Sequence, residues 1–316
     1  STNHYVQDSV RGFGASKSLS TNAATIEGYN GGAPSSHNIV TGSTSLRLVS
    51  SDFATDAKNF VAWTWKAGGS ANTFNVDGTG YGSASDASLS GGNIAPTGAS
   101  VSTTSGFSII EYTGNGSANQ TIKHGLSSAP EFIIIKDREA NSNNGQWQVS
   151  SSAIGDDYGY LSLASPAFTG TGQMIPTSGD ATTVTIGRDA TVLTNETGDD
   201  FIMYCFNSVE GYQRIGVYTG NGAADGAFVY TGFRPAWVLI KGGTNNWSIY
   251  DNKRDIDNVV GEYLIPNNGD GAGTAATMDF VSNGFKLRTA GSYANQAVTF
   301  FYYAIAEAPF KFANAR

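Results

Sequence analysis

Few side chains in this 316-residue sequence have the type and spacing that catalysis or metal binding needs. The three histidines, His4, His37 and His124, stand far apart, and none has a second His or Cys at the spacing of a zinc site. The sequence also lacks the nucleophile elbow of hydrolases, the HExxH motif, the P-loop and the dinucleotide-binding fingerprint. We therefore predict that the protein is not an enzyme and holds no cofactor.

Acidic residues offer the first alternative, because neighbouring carboxylates can bind calcium in loop-rich β-proteins. The closely spaced groups are Asp156 with Asp157, Asp199 with Asp200, and Asp251 with Asp255 and Asp257. Their spacing matches no EF-hand loop, so solvated loop charge is the simpler interpretation. Such carboxylates also leave open a polysaccharide-degrading enzyme, since glycosidases use two carboxyl groups about 5–10 Å apart.

Aromatic side chains near Asn- and Gly-rich loops suggest a second chemistry, the binding of sugars. A ring with polar groups beside it can stack on the face of a sugar. The candidate glycan-binding residues are Trp147, Trp247, Tyr250, Asp251 and Arg254. The alternative is that these rings fill the core of a β-sandwich, and the sequence leaves both interpretations open.

The composition argues against nucleic acid and the membrane interior as partners. A net charge of −8 and a pI near 4.8 argue against a nucleic-acid groove, which needs clustered Lys and Arg. The longest apolar run, residues 297–306, is shorter than the roughly 18 residues that suggest a membrane span. The single cysteine, Cys205, cannot form an internal disulfide, and its apolar neighbours predict that it is buried.

The elements that position these residues belong to an internal repeat. The sequence YTGNG occurs at residues 112–116 and again at 218–222, an offset of 218 − 112 = 106 residues. Short apolar segments between Gly-, Ser- and Thr-rich turns are typical of antiparallel strands. The predicted fold class is all-β, with tandem antiparallel β-sandwich repeats of jelly-roll type. We expect Lys136 and Lys241 at equivalent positions of the same fold.

The repeat predicts four segments. Residues 106–212 form a second β-sandwich repeat and residues 213–316 a third. Residues 3–11 align with 246–254, so residues 1–66 are the C-terminal half of a first repeat. Residues 67–105 are rich in Gly and Ser and form either a linker or an extended arm against a neighbouring sheet.

The first repeat lacks a front half equivalent to residues 215–241. Half a sandwich would expose strand edges and core side chains to water. We expect an upstream fragment of the same gene product, or a neighbouring subunit, to cover it, rather than a rearrangement of the segment onto the second repeat.

Several motifs resemble the tandem β-domains of large virion proteins from tailed phages, especially phages of marine bacteria. They include FVAWTWKAGG (60–69), GFSIIEYTGNG (106–116), YTGFRPAWVLIK (230–241) and APFKFANAR (308–316). The resemblance implies a tail-fibre or capsid-decoration protein on the virion surface, in contact with other virion proteins and with host-surface glycan. It also favours a homo-oligomer, a trimer in particular, and it implies no defined catalytic residues. A phage tailspike that degrades polysaccharide and a cellular lectin or adhesin are the alternatives.

Overall fold

The structure is a computed structural model. It describes residues 3–30, 33–34, 39–41, 45–48, 59–139, 145–155, 158–163, 174–175, 181–187 and 193–308. Antiparallel sheets dominate this part of the chain, so the predicted all-β fold class is confirmed. No helix within these residues is long and apolar enough to cross a membrane.

The strands follow the order of the predicted segments. The first repeat holds β1 (Tyr5–Val6), β2 (Leu19–Ser20), β3 (Tyr29–Asn30), β4 (Ala33–Pro34), β5 (Ile39–Thr41) and β6 (Leu46–Leu48). The following segment holds β7 (Phe74–Val76), β8 (Thr79–Tyr81) and β9 (Gly98–Ser102). The second repeat holds β10 (Phe107–Thr113), β11 (Gln120–Lys123), β12 (Phe132–Asp137), β13 (Trp147–Ser151), β14 (Tyr158–Tyr160), β15 (Met174–Ile175), β16 (Thr183–Ile186) and β17 (Asp200–Phe206).

The third repeat holds β18 (Gln213–Thr219), β19 (Phe228–Tyr230), β20 (Pro235–Gly242), β21 (Ser248–Asp251), β22 (Val260–Leu264), β23 (Gly273–Val281), β24 (Gly284–Leu287) and β25 (Thr299–Ala306). Short helical turns occur at Ala15–Lys17 and Ser152–Ile154, and α1 spans Ser292–Asn295.

The second and third repeats share one strand order. In the third repeat the order is β18-β25-β20-β21-β22-β23-β24-β19, a single antiparallel sheet that curls into a nearly closed barrel. In the second repeat β10-β17-β12-β13-β14 and β15-β16-β11 follow the same sequence of neighbours. Each repeat therefore ends in a strand, β17 or β25, that lies between the first and third strands of its own repeat.

These terminal strands are buried on both faces, which explains why they are almost wholly apolar. Alternate residues of a strand point to opposite faces. In β25, Phe300 and Tyr302 enter the core of the third repeat, whereas Phe301 and Tyr303 enter a cluster shared by all three repeats. This central cluster consists of Leu19, Phe107, Ile109, Phe132, Trp147, Val149, Leu161, Ile202, Tyr204, Phe206, Ile215, Trp237, Leu239, Trp247, Ile249, Phe301 and Tyr303.

Hydrogen bonds of one kind join the three repeats in a closed ring. They run from Trp147 Nε1 to the Ser20 carbonyl (2.7 Å), from Trp247 Nε1 to the Tyr160 carbonyl (2.9 Å), and from His4 Nε2 to the Asn268 carbonyl (2.9 Å). In each case the donor ring lies at or just before a short strand (β1, β13 or β21) and the acceptor carbonyl lies in a neighbouring repeat. Because the same contact recurs and closes after three steps, the arrangement is cyclic, as in a trimer, but within one chain.

Residues 67–105 act as an arm on the second repeat. β9 pairs antiparallel with the edge of β10, and β7 pairs with β9 in parallel. Phe74, Leu89, Ile94 and Val101 enter the core of the second repeat. Of the two predicted forms, linker or extended arm, the structure has the arm.

The repeat lysines occupy equivalent buried positions. Lys136 lies opposite Ile202 in β17, and Lys241 lies opposite Phe301 in β25. Their side chains are 0% and 1% exposed, and each Nζ donates to a backbone carbonyl, of Asp137 and Asn245 respectively. Burial lowers the pKa of both lysines to about 8 from the ordinary 10.5.

These depressed pKa values predict that each buried lysine makes a contribution to stability that rises with pH. Between pH 8 and 10.5 each of these lysines binds more protons in the unfolded chain than in the folded one, so its contribution to the free energy of unfolding increases with pH in that window. For Lys136 the increase between pH 7.5 and 9.5 is at most about 2 kcal/mol. Lys136→Met should flatten the profile, as measured by urea unfolding, while substitution of the exposed Lys253 should not. An equal slope in wild type and Lys136→Met would contradict this.

Candidate functional site: an open cleft in the third repeat

The residues predicted to bind glycan lie inside the protein, which corrects that prediction. Trp147, Trp247, Tyr250 and Asp251 are each 1% exposed. Both indoles belong to the central cluster and bond to a neighbouring repeat, so neither offers a free face to a sugar. The local sequence suggested surface loops, but packing between repeats encloses the rings.

Asp251 and Arg254 stabilise a turn instead of binding a sugar. Asp251 Oδ2 accepts from Arg254 Nε at 2.6 Å, and its Oδ1 accepts from the backbone N–H groups of Lys253 and Arg254 at 2.9 Å. The guanidinium of Arg254 lies 5.7 Å from the ring centroid of Trp63 in the first repeat. Asp8 and Arg11 form the same turn in the first repeat, with Nε to Oδ2 at 2.6 Å.

Two of the remaining acidic residues considered for calcium, Asp255 and Asp200, accept hydrogen bonds from backbone and hydroxyl donors. Asp255 Oδ2 accepts from the backbone N–H of Gly261 at 2.7 Å, and Asp200 accepts from the Thr113 hydroxyl at 2.7 Å. Asp156, Asp157 and His37 lie outside the described residues. Within the described residues, no group of three or more His, Cys, Asp or Glu side chains is placed to hold a metal ion.

An open cleft lies where the two ends of the curled sheet of the third repeat approach each other. β18 and β19 are the end strands of that sheet. A polar cavity of about 360 Å³ lies between them. Its lining is Ser208, Val209, Glu210, Gly211, Gln213, Arg214, Tyr230, Thr231 and Gly232. We call it the Tyr230 cleft.

One wall of the Tyr230 cleft is the tight turn that connects the second and third repeats. Val209 and Gln213 exchange backbone hydrogen bonds of 2.9 and 3.0 Å across this turn, and Gly211 adopts a φ of +74° that favours glycine. The buried Gln213 side chain donates to the carbonyls of Gly106 and Asn207 and accepts from the Tyr303 hydroxyl. The wall is therefore fixed to both repeats.

The opposite wall carries an exposed aromatic ring. Val229 points into the core of the third repeat, so its neighbours Phe228 and Tyr230 point outward. Tyr230 is 62% exposed, a larger fraction than that of any other aromatic side chain in the described residues. A Cβ placed on Gly232 would lie 3.6 Å from Tyr230 Oη, so the ring lies beside bare main chain.

Charge of both signs lies on the wall opposite the Tyr230 ring. Glu210 and Arg214 are exposed on the wall formed by the connecting turn and β18. Arg214 also hydrogen-bonds the hydroxyl of Tyr302; burial raises the pKa of Tyr302, and Arg214 opposes that rise. The cleft thus combines an aromatic face, a cation, a carboxylate and main-chain groups.

The corresponding place in the second repeat is filled by the arm. There β9 covers the edge of β10, and residues 88–94 cover β11: Ile94 N donates to the Thr121 carbonyl at 3.1 Å, and Lys123 Nζ donates to the Ser88 carbonyl at 3.2 Å. Only residues 207–212 separate β17 from β18, so the third repeat has no such arm before it.

One difference in sequence between the repeats accompanies the open cleft of the third repeat. Pro130 aligns with Pro235, an offset of 105, which places Ser128 against Phe233. Phe233 is 4% exposed and belongs to the core of the third repeat. The second repeat has a small hydroxyl there and relies on apolar arm residues such as Leu89 to seal its core. The third repeat seals its own core, and the space outside it stays polar.

Comparison with protein-family models identifies the family of the chain. Residues 1–309 match the family described as Domain of unknown function (DUF7483). The chain belongs to the DUF7483 family. No curated protein and no solved structure matches it.

In this DUF7483 protein, sequence reasoning missed Tyr230, Arg214 and Glu210. The signal that could have found Tyr230 is the run Phe228-Val229-Tyr230, in which alternation puts the two aromatic rings on the face opposite Val229, so that one of the two faces exposes large apolar side chains. Arg214 and Glu210 carry no such signal, because their position at the cleft depends on the sheet curling until β18 and β19 meet.

Proposed function

We propose that this DUF7483 protein is a structural component of a phage virion, a tail-fibre or capsid-decoration protein, that attaches to host-surface glycan through the Tyr230 cleft. The virion-surface placement rests on the sequence resemblance. The attachment site rests on one observation, the 62% exposed ring of Tyr230 in a polar cleft whose opposite wall carries Arg214 and Glu210. Tyrosine is enriched among the residues that dominate binding energy, and this ring lies in a cleft rather than on a flat surface.

The chemistry of the cleft suits a sugar. The ring can stack on the apolar face of a pyranose, while Arg214 donates to hydroxyl oxygens and Glu210 accepts from hydroxyl groups. A volume of about 360 Å³ lies at the lower end of the range for small-molecule sites, about 300–1,000 Å³. One or two sugar units fit that volume.

The number of carboxylates in the Tyr230 cleft favours sugar binding over sugar hydrolysis. Glycosidases need two carboxyl groups on either side of the scissile bond. Among the residues that line the Tyr230 cleft, Glu210 is the one carboxylate. The proposal is therefore a non-catalytic attachment site.

The ring of three repeats fits a place on a symmetric particle. A trimer of whole chains stays a prediction, and contacts with other virion proteins are part of the proposal. Since one chain already closes a threefold arrangement of related units, it can occupy a threefold position without two further copies.

The test is binding to host polysaccharide by wild type and Tyr230→Ala. We expect the substitution to weaken binding by about 30-fold, because an aromatic anchor contributes about 2 kcal/mol. Stability should stay within about 0.5 kcal/mol of wild type, since the ring is exposed. Glycan-array binding and surface plasmon resonance on purified polysaccharide measure the first effect, and urea unfolding measures the second.

Tyr293→Ala is the matched control, because Tyr293 is another exposed tyrosine (42%) that does not line the cleft. Equal loss of binding in both variants would place the glycan elsewhere. Binding of an extended peptide but of no glycan would contradict the sugar assignment. Release of reducing ends from the polysaccharide would identify the protein as a depolymerase.

A further inference from the structure

Large apolar side chains continue from the Tyr230 cleft along the outer face of the third repeat. Phe228 is 49% exposed and Val217 is 43% exposed, beside the 62% of Tyr230. Phe228 and Tyr230 flank Val229, which points into the core of the third repeat. Val217 precedes Tyr218, which points into the same core. Alternation therefore places Val217, Phe228 and Tyr230, which we call the outer row, outside the curled sheet.

The outer row leads away from the Tyr230 cleft in one direction. All neighbouring strands between β18 and β19 are antiparallel, and the order of the sheet makes β18 and β19 run in opposite directions. The cleft lies at Arg214 and Tyr230, so Val217 further along β18 and Phe228 earlier in β19 lie on the same side of it. The Cα atoms of Phe228 and Tyr230 are about 6.6 Å apart along the strand, so one extended ligand can cross both rings.

The second repeat has polar side chains at the same positions. The shared YTGNG sequence aligns β10 with β18 at the offset of 106, and the core-facing residues Ile122 and Val229 align β11 with β19. A charged or hydroxyl side chain in the second repeat therefore corresponds to each member of the outer row. The aligned pairs are Glu111 with Val217, Thr121 with Phe228, and Lys123 with Tyr230.

Two of these polar residues hold the arm on the second repeat. The hydroxyl of Thr121 donates to Asn93 Oδ1 at 2.7 Å, and Lys123 Nζ donates to the Ser88 carbonyl at 3.2 Å. Asn93 and Ser88 both belong to the arm, residues 67–105. The second repeat thus shows which side chains bind a polypeptide at this place: groups that donate to its oxygen atoms.

The third repeat lacks the means to hold such an arm. Phe228 offers no hydrogen bond where the second repeat has a hydroxyl. Ile109 of β10 lies opposite Ser100 of the arm, but the backbone N–H of the aligned Ile215 already donates to Ser208 Oγ at 3.0 Å. The outer row therefore favours a ligand that stacks on aromatic rings over a polypeptide that pairs with the strand edge.

We propose that the outer row extends the sugar site, and that the ligand is a linear polysaccharide bound along several sugar units rather than one terminal sugar. This inference rests on the proposed function of the Tyr230 cleft. Phe228 is the second stacking position and sets the preference for long chains. The row is continuous with the cleft and carries no charge, which suits the apolar faces of successive sugar rings. Contiguous exposed apolar side chains are typical of ligand-binding grooves.

The test measures affinity against chain length. Oligosaccharides of two and eight sugar units are cut from the polysaccharide that wild type binds, and each is titrated by isothermal titration calorimetry. Phe228→Ala should weaken binding of the eight-unit chain by about 10-fold, because a stacking ring is lost. Its affinity for the two-unit chain should stay within about twofold of wild type, since the ring of Tyr230 remains in place. Tyr230→Ala should weaken binding of both chains.

Phe13→Ala is the matched control, because Phe13 is an exposed phenylalanine (39%) of the first repeat and lies outside the outer row. It should bind both chains as wild type does. Two further variants separate ring stacking from simple apolar contact. Phe228→Tyr keeps the ring and should bind as wild type, whereas Phe228→Leu keeps an apolar side chain without a ring and should behave as Phe228→Ala.

The outcomes separate this inference from the proposed function. If Tyr230→Ala weakens binding but Phe228→Ala binds the eight-unit chain as wild type does, the extended site is wrong and the cleft alone binds sugar. An equal loss for both chain lengths in Phe228→Ala would also overturn the inference. If Tyr230→Ala changes neither affinity, the proposed function itself fails. Binding of a synthetic peptide with the arm sequence, residues 96–103, that Phe228→Ala weakens would assign the outer row to a polypeptide and overturn the sugar assignment.

Discussion

Replacing Trp247 with alanine is expected to lower the free energy of unfolding by about 3–5 kcal/mol and to loosen more than one repeat. Trp247 is 1% exposed, and its ring lies 6.0 Å from that of Phe301 and 6.4 Å from that of Phe132 in the second repeat. Alanine leaves a large cavity in the central cluster and removes the hydrogen bond to the Tyr160 carbonyl.

The decisive readout for Trp247→Ala is the behaviour of the second repeat. Hydrogen exchange should speed up in β17 as well as in the third repeat, because both repeats contribute residues to the central cluster. Trp247→Phe is the control that retains a six-membered aromatic ring; it loses the pyrrole ring with its N–H and leaves a smaller cavity than alanine, so it should cost about 1–3 kcal/mol. If exchange in β17 stayed at the wild-type rate, the repeats would be independent domains and the shared-core account would fail.

Arg11→Ala is expected to cost a similar amount, about 3–5 kcal/mol, since it removes one partner of a buried ion pair. The Arg11 side chain is fully buried and donates to Asp8 Oδ2 at 2.6 Å and to Glu27 Oε1 at 3.1 Å. Burial by itself would lower the pKa of Arg11, but Tyr204, Asp8 and Glu27 outweigh burial and raise it, so the guanidinium stays charged.

The Arg11 network joins the first and second repeats. Asp8 Oδ2 also accepts from the Tyr204 hydroxyl at 2.7 Å, and Glu27 continues to Arg138 at 2.5 Å. Without Arg11 the buried carboxylate of Asp8 loses its charged partner. Residues 3–30 should then exchange amide hydrogens faster and become the first site of proteolysis.

Arg254→Ala is the natural comparison, because Arg254 forms the same turn with Asp251. Its side chain is 13% exposed and stacks on Trp63 rather than joining a second carboxylate. The loss should therefore be smaller, about 1–3 kcal/mol. Urea unfolding of the two variants in one buffer makes the comparison. A loss of less than about 1 kcal/mol for Arg11→Ala would mean that water replaces Arg11 as the partner of the Asp8 carboxylate. That result would contradict the argument that Arg11 and Asp8 form a buried ion pair.

Much of the fold could be predicted from the sequence because the chain contains two complete copies of the repeat. Tyr112 and Tyr218 each begin the same sequence YTGNG, and Lys136 and Lys241 are each the second-last residue of equivalent strands, β12 and β20. The shared strand order of the two repeats agrees with this alignment. Cys205 was expected to be buried, and it is 0% exposed with its pKa raised by burial to about 12. Local alternation and turn residues carry this information, since they depend on near neighbours in the chain.

The candidate site could not be predicted, because it depends on which surfaces meet. A strand that is apolar on both faces, such as β17 or β25, must be buried on both faces. Its sequence does not show which other part of the chain packs against the second face. The sequence therefore left open whether Trp147 and Trp247 lie at the surface or in the core, and packing against neighbouring repeats buries both. The Tyr230 cleft likewise exists only because β18 and β19 meet at the ends of one curled sheet and no arm covers them. Contacts between distant segments decided both features, and the sequence of either segment alone does not contain them.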